Sequence, residues 1–316
     1  MSETEPTKQT YRIRNWAEYN AALIQRGSFT LWLDEAMIER WYNTEKSGRR
    51  GASNTYADLA IQCALTLKAV YRLPLRATQG FLGSLLDLMQ VSLTTPHYST
   101  YCRRQATLDV CIPRTPSTEA RHLVADSTGL KVFGEGEWKV RQHGYSKRRT
   151  WRKLHVAVDE ATQEIVATLA TTNAVGDSEV LPSLLDQVPE PIDQVSADGS
   201  YDTRDCHEAI AQRQARAAIP PRDNAQPWEP NPDGTVHPRT AILERIGEIG
   251  LAQWKKESGY HRRSLAETAM FRLKTLFGAQ LQARSFDSQV AEAYVRCAAL
   301  NTMTRLGMPD SYRIGA

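Results

Sequence analysis

No run of this chain approaches the roughly 20 apolar residues that a membrane span needs. The opening MSETEPTKQTYRIR has no apolar core of the signal-peptide kind. A cytoplasmic protein with no membrane partner is the expectation. Cysteine is scarce: Cys63, Cys102, Cys111, Cys206 and Cys297 are an odd number with no CxxC pair. That spacing argues against a disulfide framework and against a zinc ribbon, and the five read as reduced thiols, mostly buried. No HExxH or HxxxH sets two histidines for zinc, and no GxxxxGK[ST] loop offers amides to a nucleotide phosphate.

What is present is an ordinary globular composition, 41% hydrophobic and 24% charged, with an uneven charge pattern. The formal net charge is only +3, yet seven basic residues crowd between Lys139 and Lys153 without one acid among them. The rest of the region 121–224 is rich in acids. A basic stripe beside an acidic region suggests a polyanion and a metal as neighbours. A solvated loop gives the same run.

Along the chain, residues 1–15 lack periodicity and read as a flexible tail. Helical patterns follow at 16–25, closed by Gly27, at 56–71 and at 75–89. After Pro96, Ser99 or Thr100 is placed to cap a further helix through about Leu108. The last three helices, ending with Tyr101, Arg103 and Arg104, resemble a helix-turn-helix, whose last helix enters the major groove. A plain helical cap reads equally well. Pro113 and Pro116 mark a linker, giving a helical region over 16–115.

From Arg121 the pattern changes to strands: HLVADST ending at Asp126, then WRKLHVAVD, EIVATLATT, DQVSAD and RAAIP, with helices at 177–188 and 203–213. The order β-β-β-α-β-α-β predicts a mixed sheet covered by helices, three antiparallel strands first. Residues 221–256, rich in Pro, Asn and Asp before a helix at 241–256, read as an insertion. Helices at 262–277 and 287–306 close the chain. The α/β core is thus expected over 121–220 and 257–306.

Two aspartates end strands, Asp126 and Asp198, where sheet enzymes project their site residues. A turn or helix cap is the commoner use of such an Asp. More informative is YHRRSLAETAMFRLK. Tyr260, Arg263, Glu267 and Lys274 are spaced 3, 4 and 7 residues apart, so on one continuous helix they share a stripe within about 60°. Leu265, Ala269 and Leu276 lie nearer the other face. An exposed face with an Arg263–Glu267 i,i+4 pair would look similar.

Ala125-Asp-Ser-Thr-Gly-Leu-Lys131, Gly134-Glu-Gly-Glu-Trp138, Lys147-Arg-Arg-Thr-Trp-Arg-Lys-Leu-His155, Ala197-Asp-Gly-Ser-Tyr201 and the Tyr-x2-Arg-x3-Glu-x6-Lys run from Tyr260 to Lys274 together carry a resemblance. The chain resembles a DDE transposase of the insertion-sequence-five family over nearly its whole length, including Ala298-Ala-Leu-Asn301. The resemblance implies a ribonuclease-H-like core in which Asp126, Asp198 and Glu267 are the catalytic and metal-binding carboxylates. It also implies an insertion between the fifth strand and the signature helix.

Hard carboxylate oxygens suit Mg2+ or Mn2+, and the expected chemistry is two-metal phosphoryl transfer. Water first frees a 3′-OH at the element end; that hydroxyl then attacks target DNA. Tyr260, Arg263 and Lys274 would meet the DNA backbone near the metals. Lys139, Arg141, Lys147, Arg148, Arg149, Arg152 and Lys153 would neutralise phosphates farther along, and Arg103 and Arg104 would serve the helical DNA-binding region. Trp228 and Trp254 read first as local core of the insertion, second as a stacking platform for an unpaired base. The expected partners are double-stranded DNA, as terminal inverted repeats and target, and a second protomer in a homodimer. The location would be the nucleoid. Two rivals stay open: a non-catalytic regulator derived from a transposase, and a ribonuclease-H-like nuclease that only cleaves.

Overall fold

The computed structural model describes residues 10–44, 55–132, 151–230 and 234–314. Gly134–Trp138, Lys139, Arg141, Lys147, Arg148 and Arg149 therefore lie outside the described residues.

Strand β1 (Thr10–Ile13) and helices α1 (Trp16–Gln25), α2 (Glu35–Glu39), α3 (Asp58–Val70), α4 (Leu75–Leu88) and α5 (Tyr98–Gln105) open the fold. Residues 10–13 are thus not a loose tail. They pair antiparallel with β7 (Ser311–Ile314), Thr10 opposite Ile314. The cap of α5 is His97 rather than Ser99 or Thr100, its ring accepting from the Ser99 N–H.

The central sheet has the order β4-β3-β2-β5-β6, built from β2 (Arg121–Lys131), β3 (Trp151–Asp159), β4 (Ile165–Thr172), β5 (Ile192–Ser196) and β6 (Arg216–Ala218). The first three strands are antiparallel and the last two parallel to β2, as the element order predicts. Strand β2 differs from expectation in running past Asp126 to Lys131. Its parallel pairing with β5 stops at Val124–Ser196, while the antiparallel pairing with β3 continues to Lys131–Trp151. One edge of β2 is therefore released just where Asp126 lies.

Apolar residues sort by strand parity onto two faces. Leu123, Ala125 and Ala157 pack with Val180, Leu181 and Leu184 of α6 (Asp177–Asp186) and Ile210 of α7 (Arg204–Gln212). Val124, Leu154, Val156 and Val158 face the other way. They join one cluster with Ile61, Leu67 and Leu82 of the N-terminal helices and with α10 (Ser264–Phe277) and α11 (Phe286–Arg305). Residues 238–257 form two helices, α8 (Pro238–Ile249) and α9 (Leu251–Glu257), where one was expected. Gly250 separates them with φ near +80°, a backbone state that glycine enters at no steric cost. Burial pushes the Cys63 and Cys297 thiols up to about 12; Cys206 is also buried, whereas Cys102 and Cys111 are exposed.

Helix α11 runs buried on nearly every side, so its polar residues need internal partners. Glu292 pairs with Arg296, and Asn301 serves the edge strand β4. Its Oδ1 accepts from the Ile165 N–H at 2.8 Å, and its Nδ2 donates to the carbonyls of Ile165 and Pro113, both at 2.8 Å. Asn301→Ala strips a buried N–H and two carbonyls of partners. Unfolding free energy should fall by about 1–3 kcal/mol or more, read by urea denaturation; an unchanged midpoint would show that water replaces the amide.

Candidate active site

The site follows from the register of two parallel strands. Val124 pairs with Ser196, and two residues farther along stand Asp126, still within β2, and Asp198, just past the end of β5. Equal offsets keep both on the face that carries Val124, and both fall beyond the last ladder bond between β2 and β5. Asp198 caps the 3-10 turn Gly199–Tyr201, accepting from the Ser200 N–H at 2.9 Å.

The third carboxylate arrives on α10, which enters through a second 3-10 turn, Tyr260–Arg263. Gly259 starts that turn in the left-handed region, φ +66°. Two contacts hold the segment over the β2–β5 seam: Gln194 on β5 donates to the Ser258 carbonyl at 2.8 Å, and Arg262 pairs with Glu160. Tyr260 and Arg263 consequently sit on a 3-10 turn, not on the α-helix, so one helical stripe does not describe all four residues. The turn brings them together nonetheless. Arg263 donates to Asp126 Oδ2 at 3.0 Å and also to Glu267. Leu265 and Leu276 are half-buried; the packed face of α10 is Ala266, Ala269, Met270, Leu273 and Phe277.

Electrostatics mark the spot. Burial raises the pKa of Asp126; the Ser127 N–H and Arg263 oppose the rise, and Asp198 and Glu267 add to it. Burial works against the charge of Arg263, but Tyr260, Glu267, Asp126 and Asp198 around it carry its pKa upward. Burial also raises the Tyr260 hydroxyl and lowers Lys274. Arg263 thus lies among three carboxylates as an internal cation. Among the described residues no three His, Cys, Asp or Glu converge at metal-ligand spacing; Asp126 and Glu267 share the Arg263 guanidinium between them. An oxygen-only donor set that already draws in a cation fits a hard divalent ion.

The other expected DNA contacts are dispersed. Arg103 is exposed on α5, but Arg104 bonds inward to Asp58 and the Tyr56 carbonyl. Arg152 donates to Gln289 at 2.7 Å and lies over the Phe286 ring. Lys153 is on the opposite face of the sheet from Asp126, bound to Asp177 at 3.1 Å and to the Val175 carbonyl. Trp254 is buried. Trp228 packs against His207, His237 and Arg239.

A buried cluster next to the site went unassigned in the sequence. Asp202, four residues beyond Asp198, accepts from Arg239 Nε and Nη2 at 2.9 Å each, from His207 at 3.2 Å and from the Arg222 N–H at 3.1 Å. It ties Arg222 and the start of α8 to the chain just past β5. The SADGSYD text displayed Asp202, but its partner lies 37 residues away, and nothing local announces a buried arginine.

Two family models, each described as a transposase DDE domain, match the chain, one over residues 24–135 and the other over residues 117–302. The protein is a transposase. More particularly, since the second match alone spans more than half of it, the chain belongs to the DDE transposase family, enzymes that cut and transfer DNA with divalent metals. Among solved structures, a cryo-EM structure of the piggyBac transposase synaptic complex with hairpin DNA is similar at 14% identity, covering 88% of this chain and 75% of that one with a TM-score of 0.41. Among the described residues no helix is long and apolar enough to cross a membrane.

Proposed function

We propose that this transposase binds the terminal inverted repeats of an insertion sequence of the insertion-sequence-five type, cleaves at the element ends and joins the freed 3′-OH ends to target DNA. Asp126, Asp198 and Glu267 form its catalytic set within a ribonuclease-H-like core. The observation that carries this reading is the side-by-side placement of Asp126 and Asp198 beyond the last β2–β5 pair, with Arg263 linking Asp126 to Glu267.

The three carboxylates would hold two Mg2+ ions, or Mn2+ in their place, which when bound supply activation of the attacking oxygen and stabilisation of the leaving one. Arg263 and Lys274 pair with backbone phosphates beside the scissile bond, and Tyr260 positions the transposon-end strand. Water attacks the phosphodiester at the element end and the strand leaves with a free 3′-OH. That hydroxyl attacks a target phosphodiester, so one P–O bond forms as another breaks and no enzyme-bound intermediate arises. The run Lys139, Arg141, Lys147, Arg148 and Arg149 meets phosphates farther along the duplex, and the helices within 16–115, with Arg103 exposed, give end-specific binding. Two ends need two protomers, hence a homodimer on DNA.

The test is cleavage and strand transfer on a duplex with the element's own ends, in Mg2+ or Mn2+, comparing wild type with Asp126→Asn, Asp198→Asn and Glu267→Gln. Loss of chemistry with end binding retained supports the assignment. Wild-type protein that binds ends without ever cutting would make this a regulator. Cutting without strand transfer would make it a nuclease.

A further inference from the structure

Beneath Asp126 and Asp198 the sheet face turns polar. One pair below Val124 and Ser196 in the ladder, His122 of β2 stands opposite Gln194 of β5. His122, Gln194 and Ser196 share the parity, and so the face, of the two aspartates; Gln194 and Ser196 are buried and His122 half-buried. The Ser258 carbonyl can only accept, so the Gln194 side chain turns its nitrogen toward it, at 2.8 Å. That nitrogen also lies 3.2 Å from Ser196 Oγ and 3.2 Å from His122 Nε2. Because an amide N–H2 only donates, Nε2 is an acceptor, and the ring carries its one proton on Nδ1. Ser196 Oγ, 2.8 Å from Nε2, accepts from the amide and donates to the ring. Burial lowers the pKa of His122; Glu160 and Asp193 oppose this, and Arg262 and Arg216 add to it. The ring is therefore neutral at neutral pH, as its acceptor role requires.

Ser258 leads into the left-handed Gly259 and the 3-10 turn Tyr260–Arg263, whose Arg263 bonds to Asp126 and Glu267. Resting on the catalytic assignment above, we infer that His122 is a positioning residue. As a neutral acceptor it sets the direction of the Gln194 amide, and the amide seats the turn that brings Arg263 and Glu267 to Asp126. The backbone ladder between β2 and β5 needs none of this, since apolar side chains at 122, 194 and 196 would fill the same face. A fully satisfied buried network instead selects one arrangement. Without an acceptor at 122 the amide can rotate and present its oxygen to the Ser258 carbonyl, acceptor against acceptor, which unseats the turn. The Arg262–Glu160 pair also holds the turn, but as a half-exposed ion pair rather than a buried bond. A misplacement of about 1 Å costs as much as about a hundredfold in rate. His122 thus governs the chemistry through the turn, without touching the DNA.

The test uses the full-length protein and a duplex carrying the element's end, with single-turnover cutting followed in Mg2+ and end affinity in Ca2+. His122→Leu should cut about 10- to 100-fold more slowly while binding ends within about twofold of wild type. His122→Gln, whose Oε1 can take the place of Nε2 as acceptor, should restore the rate. Gln194→Met should be as slow as His122→Leu, and the double variant no slower than either, because the ring acts only through the amide. In wild type, the 15N spectrum of the imidazole should show the proton on Nδ1 and Nε2 bare. That reading decides even if His122→Leu does not fold. A wild-type rate in His122→Leu, additive losses in the double variant, or a proton on Nε2 would each overturn the inference and leave the three carboxylates in place. So would a loss of rate that comes with a loss of end affinity and is not restored by His122→Gln, since the network would then serve the fold alone. If wild type itself never cuts, the catalytic assignment fails, and the Arg262 N–H, bonded to the Gly259 carbonyl at 3.0 Å, takes over as the readout. Its hydrogen exchange about 2- to 12-fold faster in His122→Leu, the worth of one net hydrogen bond, would still support the seating of the turn; unchanged exchange would overturn it.

Discussion

Asp126→Asn should reduce strand cleavage by about a thousandfold or more without unfolding the protein. Losing a ligand to a catalytic ion removes several kcal/mol of transition-state stabilisation, and each 1.36 kcal/mol is about tenfold in rate. The fold should tolerate the change. Burial, Asp198 and Glu267 raise the pKa of Asp126 above its ordinary value, with the Ser127 N–H and Arg263 only partly offsetting them. A raised carboxyl contributes stability below its unfolded pKa, and that contribution disappears as pH rises through the folded value. The ionised form that the proposed chemistry needs is therefore held at the expense of the metal-free fold. Asparagine keeps the shape and one acceptor for the Arg263 hydrogen bond while shedding the charge. Metal-free melting temperature should stay within a few degrees of wild type or rise. A large drop in melting temperature would mean that the Asp126–Arg263 pair is structural first, and the lost activity would then say little about catalysis.

The second large effect concerns the bond between Arg239 of α8 and Asp202, just past the end of β5. Asp202 is 1% exposed in its side chain and Arg239 4%. Asp202→Ala leaves the guanidinium buried without its counter-charge, which costs about 3–5 kcal/mol. Guanidinium denaturation should report that loss, and limited proteolysis should cut within 222–240 first, where the chain has lost its anchor. The pH dependence has a definite sign. Burial alone would raise the Asp202 carboxyl, but hydrogen bonds from Arg239, His207 and the Arg222 N–H hold it far below the usual carboxylate range. Its contribution is present above the unfolded pKa and drains away as pH falls through about 4 toward the folded value. Wild type should thus lose stability below pH 4 more steeply than Asp202→Ala. Equal acid limbs for the two proteins would show that the pair contributes nothing net.

Much of the fold is legible in the sequence itself. Periodicity places 16–25 on a helix, and the strand order follows from alternation and spacing, because both are local signals. The proposal of the three carboxylates rests on motif resemblance more than on physics, since a single strand-end Asp carries little information. What escaped is non-local. Asn301 was visible as part of a motif, but its service to Ile165 depends on the chain 136 residues earlier. The inward bonds of Arg104 and Lys153 depend on carboxylates that only folding brings near. The 3-10 entry to α10 was hidden for a different reason: Tyr260 and Arg263 continue a helical spacing that the backbone does not follow after Gly259.

The pairing of Thr10–Ile13 with Ser311–Ile314 sets a timetable for synthesis. At about 5–20 residues per second, roughly 15–60 s separate the appearance of the first strand from that of the last. Through that interval the earlier strand offers bare N–H and C=O groups to any edge it meets, while the helices and sheet between them can already be assembling. A nascent chain stalled before residue 311 should therefore show the five-stranded core protected from hydrogen exchange and residues 10–13 exchanging freely.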